Sequence, residues 1–330
     1  MKTAATTVRP LLRLNPTGGG SGEGFSGILC ALGGIAPPRH DGERAMSLDK
    51  NWYTEIYPDH GAALSLKIQG KIHEERSEFQ HIEIFETENF GTLMSIDGCV
   101  MLTDRDNFIY HEMMSHPVLF AHPNPKRVVV IGGGDCGTLR EVLRHASVEK
   151  AWQVEIDERV TRVAEKYFPE LCDSNSDQRA ELVFADGIKW VADAQPGSID
   201  VMIVDSTDPV GPAKGLFSES FFRSCHKALG KDGIIVQQSE SPLLHLSLIK
   251  EMHEAMRDAG FPHVLTLHFP QFSYPSGWWS CTMASKGRSP AEFRAADAAA
   301  KTFKTRYYSA DIHRAAMILP PFVAEAINQR

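Results

Sequence analysis

An α/β protein is the fold this sequence predicts: a mostly parallel sheet with helices on both faces, preceded by a small antiparallel β-domain. Three observations lead there. From residue 127 onward, apolar runs bounded by glycines and acids alternate with segments of helical spacing, as strands buried on both faces require. Residues 52–105 instead alternate apolar with polar side chains between turn signals, the mark of half-exposed antiparallel strands. The chain has 330 residues, enough to bury one sizeable α/β core with a smaller module beside it.

Residues 1–46 differ in composition from the rest of the chain. "LNPTGGGSGEGFSG" and "GGIAPPRHDGER" are rich in Gly, Pro and Ser without any period, so a disordered extension is expected, with translation starting at Met46. The antiparallel domain is placed at 47–110, where "LSLKIQGKIHEERS", "FQHIEIFETENFGTLMSIDG" and "CVMLTDRD" supply strands and Asn-Phe-Gly and Asp-Gly supply turns. "NFIYHEMMSHPVLFAH" has helical spacing, and "HPNPK" ends it sharply. Residues 111–330 form the larger domain. There the strands "RVVVIGGG", "KAWQVEID", "AELVFADG", "IDVMIVDSTDP" and "GIIVQQSE" alternate with the helices "GTLREVLRH", "ERVTRVAEKYF", "IKWVADA", "SESFFRSCHKAL" and "LIKEMHEAMRDAG". A strand pair around 263–285 completes the sheet, and "EFRAADAAAKTFK" is helical by propensity.

Composition narrows the function classes. A net charge of −8 argues against a nucleic-acid partner, which favours a basic face. Six cysteines without a C-x-x-C pair read as reduced thiols of a cytoplasmic protein. The fourteen histidines are dispersed and no metal-ligand spacing is present, so no metal is expected. No apolar run approaches the roughly 20 residues that span a membrane.

The chemistry is written at the strand ends, where open α/β sheets bind their ligands. Read in order, these ends bear Asp135, Glu155, Asp186 and then Asp205 with Asp208. Gly132-x-Gly134-x-x-Gly137 has the form of a dinucleotide-binding turn, and Glu155 stands where a ribose-binding acid belongs. A pyrophosphate, however, would lie against Asp135, and like charges in a partly dry site repel by a few kcal/mol. This argues against NAD or FAD. A cationic nucleoside of the sulfonium kind turns the same contact into an attraction. Each acid taken alone could be a helix cap, but five at consecutive strand ends point to a cationic guest. "VDSTDPVGPAKGLF" adds two aspartates that leave a strand and enter a Pro/Gly-rich turn, a place for a mobile lid.

The segments "FQHIEIF", "DRDNFIYHEM", "HPNPKRVVVIGGGDCG", "QVEID", "ADG", "DSTDPVGPA", "LHLSLIKEM" and "YPSGWW" resemble, in order, those of the polyamine aminopropyltransferases. The resemblance implies a methyltransferase-like Rossmann domain behind the β-domain, assembled as a homodimer or homotetramer. It implies that Gln80, His111, Asp135, Glu155, Asp186, Gly187 and Pro212 hold decarboxylated S-adenosylmethionine, a co-substrate, so that no cofactor is needed. It further implies that Asp205 accepts the proton of a diamine such as putrescine. Asp208, Tyr110, Tyr274, Glu240 and Trp52 would position that diamine. One departure is plain: the family usually has Gly after the turn aspartate, and this chain has Cys136. If that position needs a positive φ, its Cβ costs roughly 1 kcal/mol. Alkylation of Cys136 is then expected to block nucleoside binding.

Three alternatives stand beside this reading. One is transfer to another acceptor, namely spermidine, cadaverine or agmatine. Another is methylation of putrescine by S-adenosylmethionine, which would need a basic partner for the cofactor carboxylate. The third is a non-catalytic binding module, against which the presence of Asp205, Asp208 and Tyr110 speaks.

Overall fold

The structure, a computed structural model, describes residues 48–208 and 211–328, without the side chain of Pro212. The expected disorder of residues 1–46 and the start at Met46 lie outside the described residues. Strands β1 (Trp52–Tyr57), β2 (Ala62–Arg76), β3 (His81–Thr87), β4 (Thr92–Ile96) and β5 (Cys99–Thr103) pair in sequence order as an antiparallel sheet. Their connections are hairpins, as alternating patterning and local turns dictate. At the β4–β5 turn Asp97 and Gly98 both have positive φ, 51° and 87°, the conformation that Asp-Gly hairpins favour.

Helix α1 (Asn107–Ala121) leads into the second sheet. Its chain order is β6 (Arg127–Gly132), α2 (Gly137–Leu143), β7 (Lys150–Glu155), α3 (Glu158–Tyr167), β8 (Ala180–Phe184), α4 (Gly187–Asp193) and β9 (Ile199–Asp205). Then come α5 (Glu219–Ala228), β10 (Leu229–Gln238), α6 (Leu246–Asp258), β11 (His263–Pro270) and β12 (Trp278–Ser285). The spatial order is β11-β12-β10-β9-β6-β7-β8. β12 runs antiparallel to both its neighbours, while β8, β7, β6, β9 and β10 are mutually parallel. The chain moves outward from β6 to β8 and then returns to β9 on the other side of β6. That reversal opens a crevice at the carboxyl ends of β6 and β9, where such sheets bind ligands.

Period-two alternation sets the layers. Along β6, Val128 and Val130 enter a core shared with α1 and α2, whereas Val129 and Ile131 enter the opposite core with α5 and α6. Helix α3 turns Val160, Val163 and Ala164 onto Ile82, Ile84 and Met94 of the antiparallel sheet, which fastens the two sheets into one body. Arg159 on α3 adds a bidentate pair to Glu75 on β2, at 2.7 and 2.9 Å.

The C-terminal segment is held by a buried carboxylate. Glu112 on α1 accepts the backbone N–H groups of Arg306, Tyr307 and Tyr308 at 2.8, 2.9 and 2.7 Å. Of "EFRAADAAAKTFK", only α7 (Ala295–Ala299) is helical. Tertiary contacts override propensity there. Arg294 donates to the carbonyls of Leu119 and His122, both at 3.0 Å, and Phe303 packs on the His145 ring. Helices α8 (Ala310–Ala316) and α9 (Pro321–Asn328) complete the chain order. Among the described residues no helix is long and apolar enough to cross a membrane.

Candidate active site

The turn after β6 is shaped by close approach to β9. Gly132 pairs with Asp205, and Gly133 donates its N–H to the Asp205 carbonyl at 2.6 Å. Both glycines have positive φ, 80° and 63°, and a Cβ on Gly132 would collide with that carbonyl. Cys136 adopts φ 66° and ψ 3°, so the left-handed position anticipated for it is real and is occupied by a non-glycine residue. Its thiol corrects a further expectation. Cys136 is wholly buried, with Sγ directed at the Gly134 carbonyl, 3.5 Å away, and it does not line the cavity between the two sheets. Contact with Cys172 and burial push its pKa far up. A protonated, inaccessible thiol does not alkylate in the folded protein, so blocking the nucleoside through Cys136 is not a route this structure offers.

Asp135 stands at the tip of the turn. Its Oδ1 accepts the N–H of Gly137 at 2.7 Å, and Nε2 of His111 on α1 lies 3.2 Å from the same oxygen. A side chain on Gly137 would run into the His111 ring, so glycine there lets histidine reach aspartate. Burial works to raise the pKa of Asp135, but the charge and contact of His111 outweigh it and the net shift is downward. For His111, burial pulls the pKa down and Asp135 more than reverses this. The carboxylate is thereby kept ionised.

Asp205 ends β9 and is 8% exposed. Tyr110 on α1 donates to its Oδ1 and Thr138 on α2 to its Oδ2, each at 2.6 Å. Burial and then the charge of Asp135 raise its pKa, while His111, Thr138 and Tyr110 oppose them. Thr138 is absent from the sequence-based set, because a threonine in the first turn of a helix gives no sign of reaching a neighbouring strand.

Glu155 and Asp186 each accept backbone N–H groups and also line the cavity. Oε1 of Glu155 accepts the N–H of Asp157 at 2.8 Å, and Asp157 in turn caps α3 through Arg159 N–H at 3.0 Å. Burial pushes the pKa of Glu155 up to about 7, against the pull of the Asp157 N–H. Oδ1 of Asp186 caps α4 by accepting the N–H groups of Ile188 and Lys189 at 2.8 and 3.3 Å. Capping thus describes Asp186 correctly and does not remove it from the cavity.

These side chains converge on a cavity of about 360 Å³ between the two sheets. Gln80 and Met94 close it from the antiparallel domain, and Gly187, Ile131 and Ile188 line it from the larger one. Six carboxylates border it: Asp97, Asp135, Glu155, Asp186, Asp205 and Asp208. Among the described residues no lysine, arginine or histidine does. A smaller cavity of about 40 Å³ adjoins it, bounded by Glu55, Asp208, Gln238, Tyr274 and Trp279. Tyr274 is locked by its hydroxyl to the Met101 carbonyl at 2.6 Å and meets the Tyr110 ring edge-on at 5.5 Å. Glu55 was not anticipated either. It is 7% exposed, accepts Val100 N–H at 2.8 Å, and is pushed by burial to a pKa of about 7. Glu240 is buried behind Asp208. Trp52 does not join this group: it opens β1, pairs with Lys67 and lines neither cavity. Pro212, expected over the nucleoside, lies outside the described side chains.

A spermine/spermidine synthase domain matches residues 107–294, and a spermidine synthase tetramerisation domain matches residues 51–104. The chain belongs to the spermine/spermidine synthase family. Relatives within this family include the polyamine aminopropyltransferases of Methylococcus capsulatus and Thioalkalivibrio sulfidiphilus. The first is 65% identical over 280 residues, 85% of this chain and 98% of the relative. The second is 66% identical over 278 residues, 84% of this chain and 98% of the relative. Among solved structures, a spermidine synthase in complex with the transition state analogue AdoDATO is 38% identical with a TM-score of 0.81, covering 86% of this chain and 98% of that one. The spermidine synthase from Thermotoga maritima is also 38% identical, with a TM-score of 0.80, covering 86% and 97%. As a member of the spermine/spermidine synthase family the chain is a transferase, a polyamine aminopropyltransferase, and its larger domain has the methyltransferase-like fold.

Proposed function

We propose that the enzyme transfers the aminopropyl group of decarboxylated S-adenosylmethionine to putrescine, giving spermidine and methylthioadenosine, with Asp205 as general base. One observation carries this reading: a nucleoside-sized cavity bordered by six carboxylates and by no basic side chain among the described residues. Such a lining attracts a sulfonium nucleoside and an alkyl diammonium and repels phosphates. It also disfavours ordinary S-adenosylmethionine, whose carboxylate would find no cationic partner and lie near Asp135. The putrescine methyltransferase reading is weakened by the same absence.

In this reading Glu155 accepts the ribose hydroxyls, Asp186 the adenine amino group, and Asp135 the aminopropyl ammonium. Gln80 and Gly187 shape that end, and His111, which lines neither cavity, keeps the Asp135 carboxylate ionised from behind. The acceptor amine needs a lone pair, so one proton must leave it. We assign that proton to Asp205, and the fixing of both its oxygens by Tyr110 and Thr138, together with its raised pKa, supports the assignment. The amine nitrogen then bonds to the carbon beside sulfur as the carbon–sulfur bond breaks, and neutral methylthioadenosine leaves. Asp208 and Tyr274 border the far end, where the second ammonium would rest, and Glu240 lines neither cavity but faces Asp208 from behind. The nucleoside is consumed and no separate cofactor takes part. The tetramerisation-domain match and the exposed Ile56 and Ile72 on the antiparallel sheet support a homodimer or homotetramer. We assign the enzyme to the cytoplasm.

The experiment that tests the reading is a steady-state panel of putrescine, cadaverine, spermidine and agmatine with decarboxylated S-adenosylmethionine, measuring methylthioadenosine release. Putrescine is expected to give the highest kcat/KM. A higher value for any other acceptor would overturn the choice. The nucleoside assignment has its own pH signature. Ribose hydroxyls donate to the ionised form of Glu155, so binding draws Glu155 below its pKa of about 7. Methylthioadenosine affinity should therefore rise by up to about tenfold per unit as pH climbs toward 7 and level off above it. Glu155→Gln should flatten that dependence, and an unchanged slope in the variant would remove Glu155 from the ribose site.

A further inference from the structure

Glu240 lies just beyond β10 in a left-handed conformation, φ 62°, and is 2% exposed. Its carboxyl group faces Asp208 and Gln238, with Glu55 farther off. Oε2 has no hydrogen-bond partner, and neither has Nδ1 of His245, which lies 3.2 Å from it. The other nitrogen of that ring, Nε2, is 3.1 Å from Nε2 of His60. His60 is exposed at the end of the 3-10 turn Pro58–His60, just before the left-handed Gly61. Two imidazole nitrogens at this distance share one hydrogen, so one ring donates and the other accepts. A line of proton-carrying atoms therefore runs from a buried carboxyl group to solvent, with the 3.2 Å contact between Glu240 and His245 as its one unclosed link.

The acceptor site gives this line a task. Burial, Asp208 and Glu55 hold the pKa of Glu240 well above the usual carboxylate range, so the empty site keeps a proton there. A diammonium guest favours the carboxylate, and Asp208, which faces Glu240, borders both cavities. Burial and then the neighbouring His60 lower the pKa of His245, against the pull of Asp208, so that ring passes a proton on rather than storing it.

We propose that His245 and His60 form a relay that carries the Glu240 proton out when the cationic end of the acceptor enters, and back when product leaves. The proposal rests on the acceptor assignment and adds the residues that balance its charge. Outward, the Glu240 proton moves to Nδ1 of His245 while the Nε2 proton of His245 moves to Nε2 of His60. His60 then gives its Nδ1 proton to water. The return uses the same atoms in reverse and restores both rings, so no ring flip is required. Neither histidine touches the reacting carbon.

Stopped-flow mixing of putrescine with the methylthioadenosine complex, in weak buffer with a pH indicator, reads the relay directly. Wild type should release about one proton per site on binding. His245→Asn, close in size but unable to relay, should still bind putrescine by calorimetry yet release the proton at least about tenfold more slowly. His60→Phe should also be slowed, and added imidazole should restore the rate in His245→Ala, which a merely structural role would not produce. Putrescine binding without proton release in wild type, or unchanged release rates in His245→Asn and His60→Phe, would overturn the relay alone. Absence of putrescine binding to wild type would overturn the acceptor assignment and the relay with it.

Discussion

Replacing Asp205 by Asn lowers kcat by about 10²- to 10⁴-fold and leaves methylthioadenosine affinity within a small factor. The reasoning starts from the protonation state of the acceptor. An ammonium has no lone pair, and at the β6–β9 crevice Asp205 has each carboxylate oxygen fixed by a side-chain hydroxyl, Tyr110 and Thr138, both at 2.6 Å. Its raised pKa makes it a better proton acceptor than an exposed aspartate would be. Asparagine keeps the shape and one accepting oxygen but cannot take the proton. Positioning survives in the variant, and positioning is a large term: holding nucleophile and carbon in line is worth roughly 7–11 kcal/mol. Residual activity is therefore expected. Retention of more than about a tenth of wild-type kcat, a loss under about 1.4 kcal/mol, would contradict the base assignment.

The second large effect is on the nucleoside. Asp135→Asn should weaken decarboxylated S-adenosylmethionine by about 30-fold, roughly 2 kcal/mol, and leave S-adenosylmethionine nearly unchanged. The variant loses a carboxylate that His111 keeps ionised and that faces the cavity. It also leaves the buried His111 without its counter-charge, a structural cost that relief of carboxylate repulsion offsets for S-adenosylmethionine alone. Asp135→Glu separates the two contributions, since it restores the charge at a shifted position. Calorimetry with both nucleosides checks the prediction. Equal weakening of the two would mean that Asp135 shapes the turn without reading charge.

The succession of strands and the position of the acids were legible for one physical reason. Parallel strands buried on both faces read as uninterrupted apolar runs, so the first polar residue after each run marks its carboxyl end. Asp135, Asp186, Asp205 and Asp208 come after such runs, Glu155 closes another, and the structure gathers all five at one cavity. What stayed hidden lies where local pattern and tertiary role diverge. Glu55 occupies an ordinary polar position of an alternating strand, and only Val100, 45 residues away, reveals that it is buried. Thr138 resembles any first-turn threonine. The resemblance puts Trp52 in the diamine channel, but at the start of β1 it lines neither cavity, whereas Glu55 on the same strand borders the smaller one. His60 and His245 stand 185 residues apart, and no local signal joins them. Cys136 is the converse case. The turn required a positive φ, the sequence offered a side chain, and the structure places it there at φ 66°.

The negative lining of one cavity underlies every one of these assignments, and wild-type binding tests it without mutation. Titrating the enzyme with decarboxylated S-adenosylmethionine and with S-adenosylmethionine compares two guests that differ by a single carboxylate. The account predicts that the decarboxylated nucleoside binds at least about 100-fold more tightly, roughly 2.7 kcal/mol. Equal affinities would contradict it.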